Sequence, residues 1–389
     1  MAIVIIDDNI LIDIANVVRE KTNNSDKLSL SDISARIADI DTNTNSFDIS
    51  TYQDIIQRTI SDISIPADIT TLPQYFFAGC TELENVSLPT AMVLIYPGMF
   101  LDCNKLTNIN TEHVRAISES GFSGCIGLVD IDLSNLVTAG NYAFKNCTGL
   151  VSIEIPKVTK IPTNMFLDCT NLKNITIADD LISIDNYAFK NCTSLTSIEL
   201  PDTITSIGNY VFENCSSLTS IELPDNVTSI GSYIFKKCTN LVSAKVPLLS
   251  GNMFNECTNL KEIIVTGTDI TIGDYACYNC NSLEKITMNT IYRIWRDSFH
   301  NCTNLKEIVV RFSGVISNSI ESRAFCNCTG LKTVTILNHS GPQIASDAFS
   351  GCTQSDLVIN VPWAQGEVKY APWGATNATI NYNYTEDTE

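Results

Sequence analysis

Fifteen cysteines are the residues of this 389-residue sequence with the clearest potential for chemistry. Thiolates bind zinc, form disulfides or act as nucleophiles, and each role requires its own spacing. Thirteen of the cysteines recur mostly every 22 or 23 residues. They are Cys80, Cys103, Cys125, Cys147, Cys169, Cys192, Cys215, Cys238, Cys257, Cys280, Cys302, Cys328 and Cys352. This regularity indicates one structural position in each copy of a repeat.

Metal binding is the alternative interpretation of the cysteines. Cys277-Tyr-Asn-Cys280 and Cys326-Asn-Cys328 have two closely spaced thiols each, but no histidine or second pair accompanies them. Stacked strands lie ~4.8 Å apart, too wide for the ~3.8 Å Cβ separation of a disulfide. We therefore expect small apolar core residues with weak thiol donors, no disulfide, no metal and no cofactor.

The three histidines do not form a catalytic pattern. His113, His300 and His339 are far apart in the repeat order, and a solenoid does not bring distant coils together. No phosphate loop or calcium loop is present. His300 occupies a position that carries Lys, Glu or Asp in other copies, so we expect a solvated loop residue. The sequence predicts no enzyme.

The repeat reads Phe-x-x-Cys-x-x-Leu-x-x-Ile-x-Leu/Ile-Pro, and phenylalanine precedes the cysteine by three in twelve of thirteen copies, with Cys277 as the replacement. In the copy Asn186–Pro201, the alternation after the leucine predicts a short strand with Ile198 and Leu200 pointing inward. Proline then ends the strand. Because one copy cannot bury its apolar face, neighbouring copies must stack into a common core.

This repeat, together with the Ser-Ile-Gly-Asn-Tyr of Ser206–Tyr210, resembles the BspA-type leucine-rich repeat of bacterial and protist surface proteins. The resemblance extends over roughly residues 58–355. It implies a curved, right-handed leucine-rich-repeat solenoid with one short parallel strand in each of about thirteen repeats. It also implies a function in adhesion or protein binding.

Residues 1–45 do not fit the repeat and predict a small α-helical hairpin. Apolar residues at i, i+4 and i+8 indicate a first helix to about Lys21, and Ser31 can cap a second. Such a hairpin buries little by itself, so we expect an anchoring or oligomerisation module. The candidate anchoring residues are Ile10, Ile14, Val18, Ile33 and Ile37. Residues 46–57 are predicted to be a linker and N-terminal cap, with linker composition from Asp41 to Ser50.

Residues 356–389 are predicted to cover the last coil, because an open core and strand edge would promote end-to-end association. Their large aromatic residues are Trp363, Tyr370, Trp373 and Tyr382. An aromatic ligand site at this tip is the alternative. Residues 14–28 and 361–382 resemble terminal segments of tail and fibre proteins from phages and prophages of gut Firmicutes.

The net charge of −19 would repel nucleic acids and anionic membrane surfaces. No stretch approaches the ~20 apolar residues of a spanning helix, and the start lacks the features of a secretion signal. We therefore expect no nucleic-acid partner and no membrane insertion. The product as written is expected to stay soluble in the producing cell unless it leaves by lysis or inside an assembly.

A change of pattern between residues 262 and 312 marks the candidate ligand surface. Outward strand positions of the middle coils are small and polar, whereas Tyr292–Arg296 replaces the usual Thr-Ser-Ile-Gly-Asn. Trp, Tyr and Arg are the residues most enriched at interface anchors. The candidate residues are Ile264, Tyr292, Arg293, Trp295, Arg296, Val309, Arg311 and Phe312. The alternative is an irregular coil that packs its own aromatic residues.

The preferred hypothesis is a virion fibre or receptor-binding protein of a gut phage, assembled in the bacterial cytoplasm and forming a homo-oligomer. Its N-terminus would bind a virion structural protein, and its repeats would bind a host surface protein or glycan. The alternative is an adhesin at the bacterial cell surface.

Overall fold

The structure is a computed structural model that describes residues 47, 49–313, 319–337, 343–367 and 369–385. The chain divides into two compact units between Leu181 and Ile182. Each unit is a stack of coils, and the predicted parallel β-solenoid of about thirteen coils is confirmed. The predicted helices with Ile10 and Ile37, as well as His339, lie outside the described residues. Within the described ranges, no helix is long and apolar enough to cross a bilayer.

Each coil contributes up to two short strands to two parallel ladders. The leucine-side ladder uses the strand after the repeat leucine, and the serine-side ladder uses a strand, often Ser-Ile, before the phenylalanine. The first unit contains α1 (Ile49–Gln57), leucine-side strands β1 (Asp62–Ser64), β2 (Asn85–Ser87), β4 (Asn108–Ile109), β7 (Ser152–Ile155) and β9 (Asn174–Ile177), and serine-side strands β3 (Leu94–Ile95), β5 (Ala116–Ile117), β6 (Thr138–Ala139) and β8 (Lys160–Ile161).

The second unit has the same arrangement, with its longest strands between residues 290 and 337. Its leucine-side strands are β12 (Ser220–Glu222), β14 (Ser243–Val246), β15 (Glu262–Val265), β17 (Lys285–Thr287), β19 (Glu307–Phe312), β21 (Thr333–Leu337), β23 (Val358–Asn360) and β24 (Thr379–Asn381). Its serine-side strands are β10 (Ser183–Ile184), β11 (Ser206–Ile207), β13 (Ser229–Ile230), β16 (Ile270–Ile272), β18 (Thr290–Ile294), β20 (Ser319–Ile320) and β22 (Gln343–Ile344).

Each strand pairs with the equivalent strand of the next coil, so residues at the same repeat position lie opposite one another. Ile207 lies opposite Ile230, for example. The strand predicted after Leu195 is wrong in one respect: Ile198 is buried as expected, but residues 196–200 are not in a strand and Leu200 is only half-buried. The hydrogen bond from the Thr219 amide to the Thr196 oxygen is long there, at 3.3 Å. The alternation of inward and outward side chains therefore persists without regular strand pairing.

The repeat phenylalanines form a stacked column in the interior of each unit. In the first unit, ring centroids from Phe77 to Phe166 are 5.2–5.7 Å apart. In the second unit, neighbouring rings are 5.0–5.4 Å apart, and Cys277 takes the place of one ring. All of these rings are fully buried. Offset ring contacts at this distance add to the hydrophobic stabilisation of the core.

The cysteines satisfy backbone carbonyls as well as filling the core. Cys125 Sγ donates to the Phe100 oxygen of the preceding coil at 3.0 Å, and Cys215 Sγ donates to the Phe189 oxygen at 3.2 Å. The same carbonyl accepts the amide of its own coil's cysteine, as between Cys103 and Phe100. This position therefore favours a small apolar side chain with one donor, which is the role that the sequence predicted and cysteine fulfils.

The turn that carries the phenylalanine and the cysteine relies on left-handed backbone. Tyr210 and Asn214, five and one residues before Cys215, have φ of 58° and 61°. With this geometry, alternate amides point along the stacking direction, and those of Tyr210, Phe212 and Asn214 donate to the next coil at 2.8–3.0 Å. Asn, Asp and Gly tolerate such a φ best, which explains their recurrence before the cysteine.

Helix α1 covers the first coil. The helix begins at Ile49, whereas the linker was predicted to extend to Ser50, so the predicted boundary of the linker lies two residues too late. Ile55 is buried, and the Phe47 ring lies 5.9 Å from the Phe76 ring. Cys80 Sγ lies 3.8 Å from the Ile55 oxygen, so the helix stands in for the turn of a preceding coil.

The C-terminal segment adds strands β23 and β24 to the leucine-side ladder of the second unit. Trp373 is fully buried, its carbonyl accepts the Phe349 amide at 2.9 Å, and its indole donates to the Lys369 oxygen. Trp363 is also buried. Tyr370 is 69% exposed, so its predicted packing role was wrong: it contributes its carbonyl, which accepts the Trp373 amide at 2.7 Å, and not its ring.

Replacing Phe212 by Ala should lower the free energy of unfolding by about 3–5 kcal/mol, because the cavity lies between two stacked rings in a closed interior. Urea titration followed by circular dichroism measures the change. Val242→Ala, which truncates a 43% exposed side chain, is the control and should cost within about 0.5 kcal/mol. Equal effects of the two substitutions would contradict a stacked phenylalanine core.

Alkaline pH should destabilise the fold. Burial raises the pKa of Cys80, Cys147 and Cys352 to about 12, whereas an unfolded thiol ionises at about 8.5. These thiols therefore stay protonated to a higher pH in the folded state than in the unfolded state. The resulting stabilisation is complete below about pH 8.5 and is lost as pH rises toward the folded pKa. Each thiol contributes up to about 1.4 kcal/mol per pH unit.

Urea midpoints at pH 8, 9 and 10 measure this loss. The combined variant Cys147→Ala and Cys215→Ala should show a shallower decline than the parent, since two titrating thiols are gone. A parent midpoint that stays constant up to pH 10 would contradict the thiol account.

Candidate functional site

A β-bulge in β18 creates the most distinctive outer surface of the second unit. In its pairing with β16, Ile270 lies opposite Ile291, but Thr271 lies opposite Arg293, so Tyr292 is an extra residue. Bulges re-aim side chains and are common beside functional sites. Strand β18 also pairs with β19 and β20, which joins the two ladders at this point.

The bulge turns two consecutive side chains outward. Ile291 and Ile294 are fully buried, so the intervening Tyr292 and Arg293 both lie outside the core. Tyr292 is 37% exposed and Arg293 is half-buried. Trp295, the next outward residue, is also 37% exposed. A regular strand of period two could not place these side chains side by side.

Two guanidinium groups lie against aromatic rings at this surface. Arg293 Cζ is 4.7 Å from the centre of the Trp295 ring, and Arg296 Cζ is 5.6 Å from the centre of the Tyr275 ring. The Trp295 amide donates to the Ile272 oxygen at 3.0 Å, which fixes the backbone beneath the indole. We call Tyr275, Tyr292, Arg293, Trp295 and Arg296 the arginine–aromatic cluster.

Two carboxylates flank the arginine–aromatic cluster. Arg293 Nε is 3.8 Å from Glu321 Oε1, and Arg296 Nε is 3.8 Å from Asp274 Oδ1. The Arg296 and Asp274 side chains are 58% and 42% exposed, and exposed ion pairs of this length contribute at most about 1 kcal/mol. These ion pairs orient the guanidinium groups but bind them only weakly.

The structure brings together four of the eight predicted surface residues, and Arg311 adjoins them opposite Thr290. Ile264 is 39% exposed and Val309 is half-buried, but both lie on the leucine-side ladder. Phe312 is a wrong prediction because it is only 6% exposed. It follows the inward phase of β19 and lies opposite the buried Ile291.

Sequence reasoning missed Tyr275, Asp274 and Glu321. Tyr275 could have been found, because tyrosine recurs five residues before the cysteine, as at Tyr187, Tyr210 and Tyr233. Asp274 and Glu321 carry no such signal, since their relation to the arginines depends on contacts between coils.

His300 was predicted to be a solvated loop residue, and this is wrong. It is 8% exposed, and its Nδ1 lies 2.8 Å from Oδ1 of the buried Asp297. Arg323 lies 2.9 Å from the same oxygen, and the Tyr278 ring packs at 5.0 Å from the imidazole. The buried carboxylate of Asp297 holds the imidazole in the interior. The residue type at position 300 does not by itself reveal this partner.

A second aromatic row consists of Tyr187, Tyr210 and Tyr233, whose rings stack at 5.0 and 4.6 Å. Glu213 pairs with Lys190 at 2.9 Å beside them. Burial, the largest cause, raises the pKa of Tyr210. Because nearly parallel rings cover one another, this row offers little aromatic face to a ligand.

A groove of about 650 Å3 crosses the outer side of β1, β2 and β4 in the first unit. Its polar groups bond mainly to one another: Asn108 donates to Asn85 at 2.6 Å, and Asn85 donates to Asp62. Hydrogen bonds, the one from Ser61 first, hold the pKa of Asp62 below its usual value. No aromatic side chain lines the groove, so it lacks the anchors that the arginine–aromatic cluster has.

Parallel coils, a buried phenylalanine column and a variable outer surface define this protein as a leucine-rich-repeat solenoid. The profile of the BspA type leucine rich repeat region matches residues 48–173, 159–249 and 243–356. The chain therefore belongs to the BspA-type leucine-rich-repeat family. Proteins of this family are commonly surface proteins with roles in adhesion, and they are typically not enzymes.

The fold is shared by a solved structure. A leucine-rich repeat protein from Bacteroides ovatus is 22% identical, with a TM-score of 0.64 over 83% of this chain and 92% of that chain. A leucine rich cell surface protein from Faecalibacterium prausnitzii is 21% identical, with a TM-score of 0.44 over 84% of this chain and 88% of that chain. No curated protein matches the sequence.

Replacing Asp297 by Ala should destabilise the second unit by about 2–3 kcal/mol, because two charge-assisted hydrogen bonds disappear and alanine must adopt the φ of +54°. Asp297→Asn should cost less, since asparagine accepts one bond and tolerates this φ. Thermal unfolding compares both with Asp274→Ala, whose exposed ion pair is worth at most about 1 kcal/mol. An Asp297→Ala effect no larger than that of Asp274→Ala would contradict the buried network.

Proposed function

We propose that the protein is a non-enzymatic adhesion protein that binds its ligand through the arginine–aromatic cluster. The observation that carries this proposal is the bulge at Tyr292, which places an outward tyrosine and arginine beside the outward Trp295. Trp, Tyr and Arg dominate binding energies at interfaces when a partner desolvates them. Membership of a family in which adhesion is common supports the same function.

The scaffold supports tight binding because it holds the anchors in place. Ile291 and Ile294 fix the strand from the core side, and the Trp295 oxygen accepts the Ser298 hydroxyl at 2.6 Å. Side chains that are already ordered lose less conformational entropy when a ligand binds. Rigid strands with few exposed anchors are therefore well suited to present a binding surface.

For the setting of this adhesion, we propose a virion fibre or receptor-binding protein of a gut phage, joined to the particle through its N-terminal residues and forming a homo-oligomer. The resemblance of both terminal segments to phage tail and fibre proteins supports this setting. Ile10, Ile14, Val18, Ile33 and Ile37 would then contact a virion structural protein. A bacterial cell-surface adhesin is the second candidate, which the family membership favours.

Replacing Trp295 and Arg296 together by Ala should reduce attachment of labelled protein to gut Firmicutes cells or mucin at least tenfold, with an unchanged melting temperature. Both side chains lie outside the core, so stability should not change. The control variant combines Val242→Ala and Lys285→Ala, whose side chains are similarly exposed at 43% and 61%.

Unchanged attachment of the Trp295 and Arg296 variant would refute the cluster as the ligand surface. Immunogold labelling of purified phage particles and of intact bacteria tests the setting separately. Label on particles supports the fibre, whereas label on bacterial envelopes without particles supports the adhesin.

A further inference from the structure

The arginine–aromatic cluster brings two guanidinium groups together on an acidic chain. The whole protein carries 43 acidic and 24 basic residues, yet Arg293, Arg296 and Arg311 lie within twenty residues of one another. Glu321 lies 3.8 Å from Arg293 Nε, and Asp274 lies 3.8 Å from Arg296 Nε. Guanidinium groups match carboxylates best through two parallel hydrogen bonds, which the contact between Arg296 and Asp274 does not make. A ligand carboxylate can therefore improve on the pair of Arg296 with Asp274.

The size of the cluster argues for a narrow ligand. A tryptophan or tyrosine buries ~150–250 Å2 when fully covered, so a 37% exposed ring has roughly 60–90 Å2 left to cover. The two rings of this kind, Tyr292 and Trp295, together leave roughly 120–180 Å2 to cover. A standard protein interface needs about 800 Å2 from each partner. The cluster thus fits a chain of a few sugar residues better than the face of a folded protein.

The chemistry of the cluster agrees with a sugar acid. The exposed parts of Trp295 and Tyr292 offer apolar surface against which the C–H face of a pyranose can pack. Arg296, 58% exposed, can donate to a carboxylate, and Asp274 beside it can accept from sugar hydroxyls. Neutral sugars would use the rings and the acceptors but would leave Arg296 with only its long contact to Asp274.

We propose that the arginine–aromatic cluster binds a carboxylated glycan, with a uronic or sialic acid residue seated between Trp295 and Arg296. This inference rests on the proposed function, because it names the ligand of the same surface. The net charge of −19 repels such a ligand at long range. Moderate salt should therefore accelerate association by screening this repulsion, while it weakens the local arginine–carboxylate contacts much less.

Calorimetric titration of the full chain tests the ligand class with matched probes. Galacturonic acid oligomers are compared with their neutral methyl esters, and sialyllactose is compared with lactose. At least one acidic probe should bind ten or more times more tightly than its neutral partner. Arg296→Ala should remove this preference, whereas Trp295→Ala should weaken acidic and neutral probes alike. The Val242→Ala and Lys285→Ala control should bind like the parent.

Equal binding of acidic and neutral probes would overturn the carboxylate requirement. If no probe binds, while the Trp295 and Arg296 variant still fails to attach to cells, the glycan proposal is wrong and the proposed adhesion stands with a protein ligand. If the same variant attaches normally to cells, the proposed adhesion surface is wrong. Protease treatment of the target cells distinguishes a protein ligand directly, because it should leave binding to a glycan intact.

Discussion

The fold depends on one constraint: every coil must pair the backbone groups of its turn with neighbouring coils while it buries its repeat side chain, which is phenylalanine except at Cys277. Left-handed residues such as Tyr210 and Asn214 point alternate amides along the stack, and the thiol of Cys238 donates to the carbonyl of Phe212 in the preceding coil. Buried backbone groups left unpaired would cost more than one coil can recover from packing. The recurrence of Phe, Cys and Asn follows from this geometry.

A chain that uses its interior in this way has only its outer side chains available for binding. Most outward strand positions are small and polar, as at Ser220 and Glu222. The bulge at Tyr292 departs from this regularity without opening the core, because Ile291 and Ile294 remain buried on either side of it. The pairing of β16 with β18 accommodates Tyr292 as one extra residue, which places Tyr292 and Arg293 of the arginine–aromatic cluster side by side on the outside.

Side chains at the same repeat position differ in burial, because their contacts differ. The position two before the cysteine carries Lys190 and Lys236 on the outside, yet His300 at the same position is buried against Asp297. Tyr370, by contrast, lies outside in a segment that otherwise closes the stack through Trp373. At His300 the immediate partner, Asp297, decides the burial of the side chain, and the repeat position does not.

The sequence by itself determined the solenoid, its repeat length, the inward phenylalanine and cysteine columns and the irregular region around Tyr292, because these properties follow from the period of apolar residues. Tertiary structure alone decided that Phe312 turns inward, that Tyr275, Asp274 and Glu321 join the cluster, and that His300 is buried. Most of these contacts connect residues about one repeat apart, and their geometry depends on register and on the bulge. Side-chain periodicity fixes which face is buried, but it does not fix which outward residues meet.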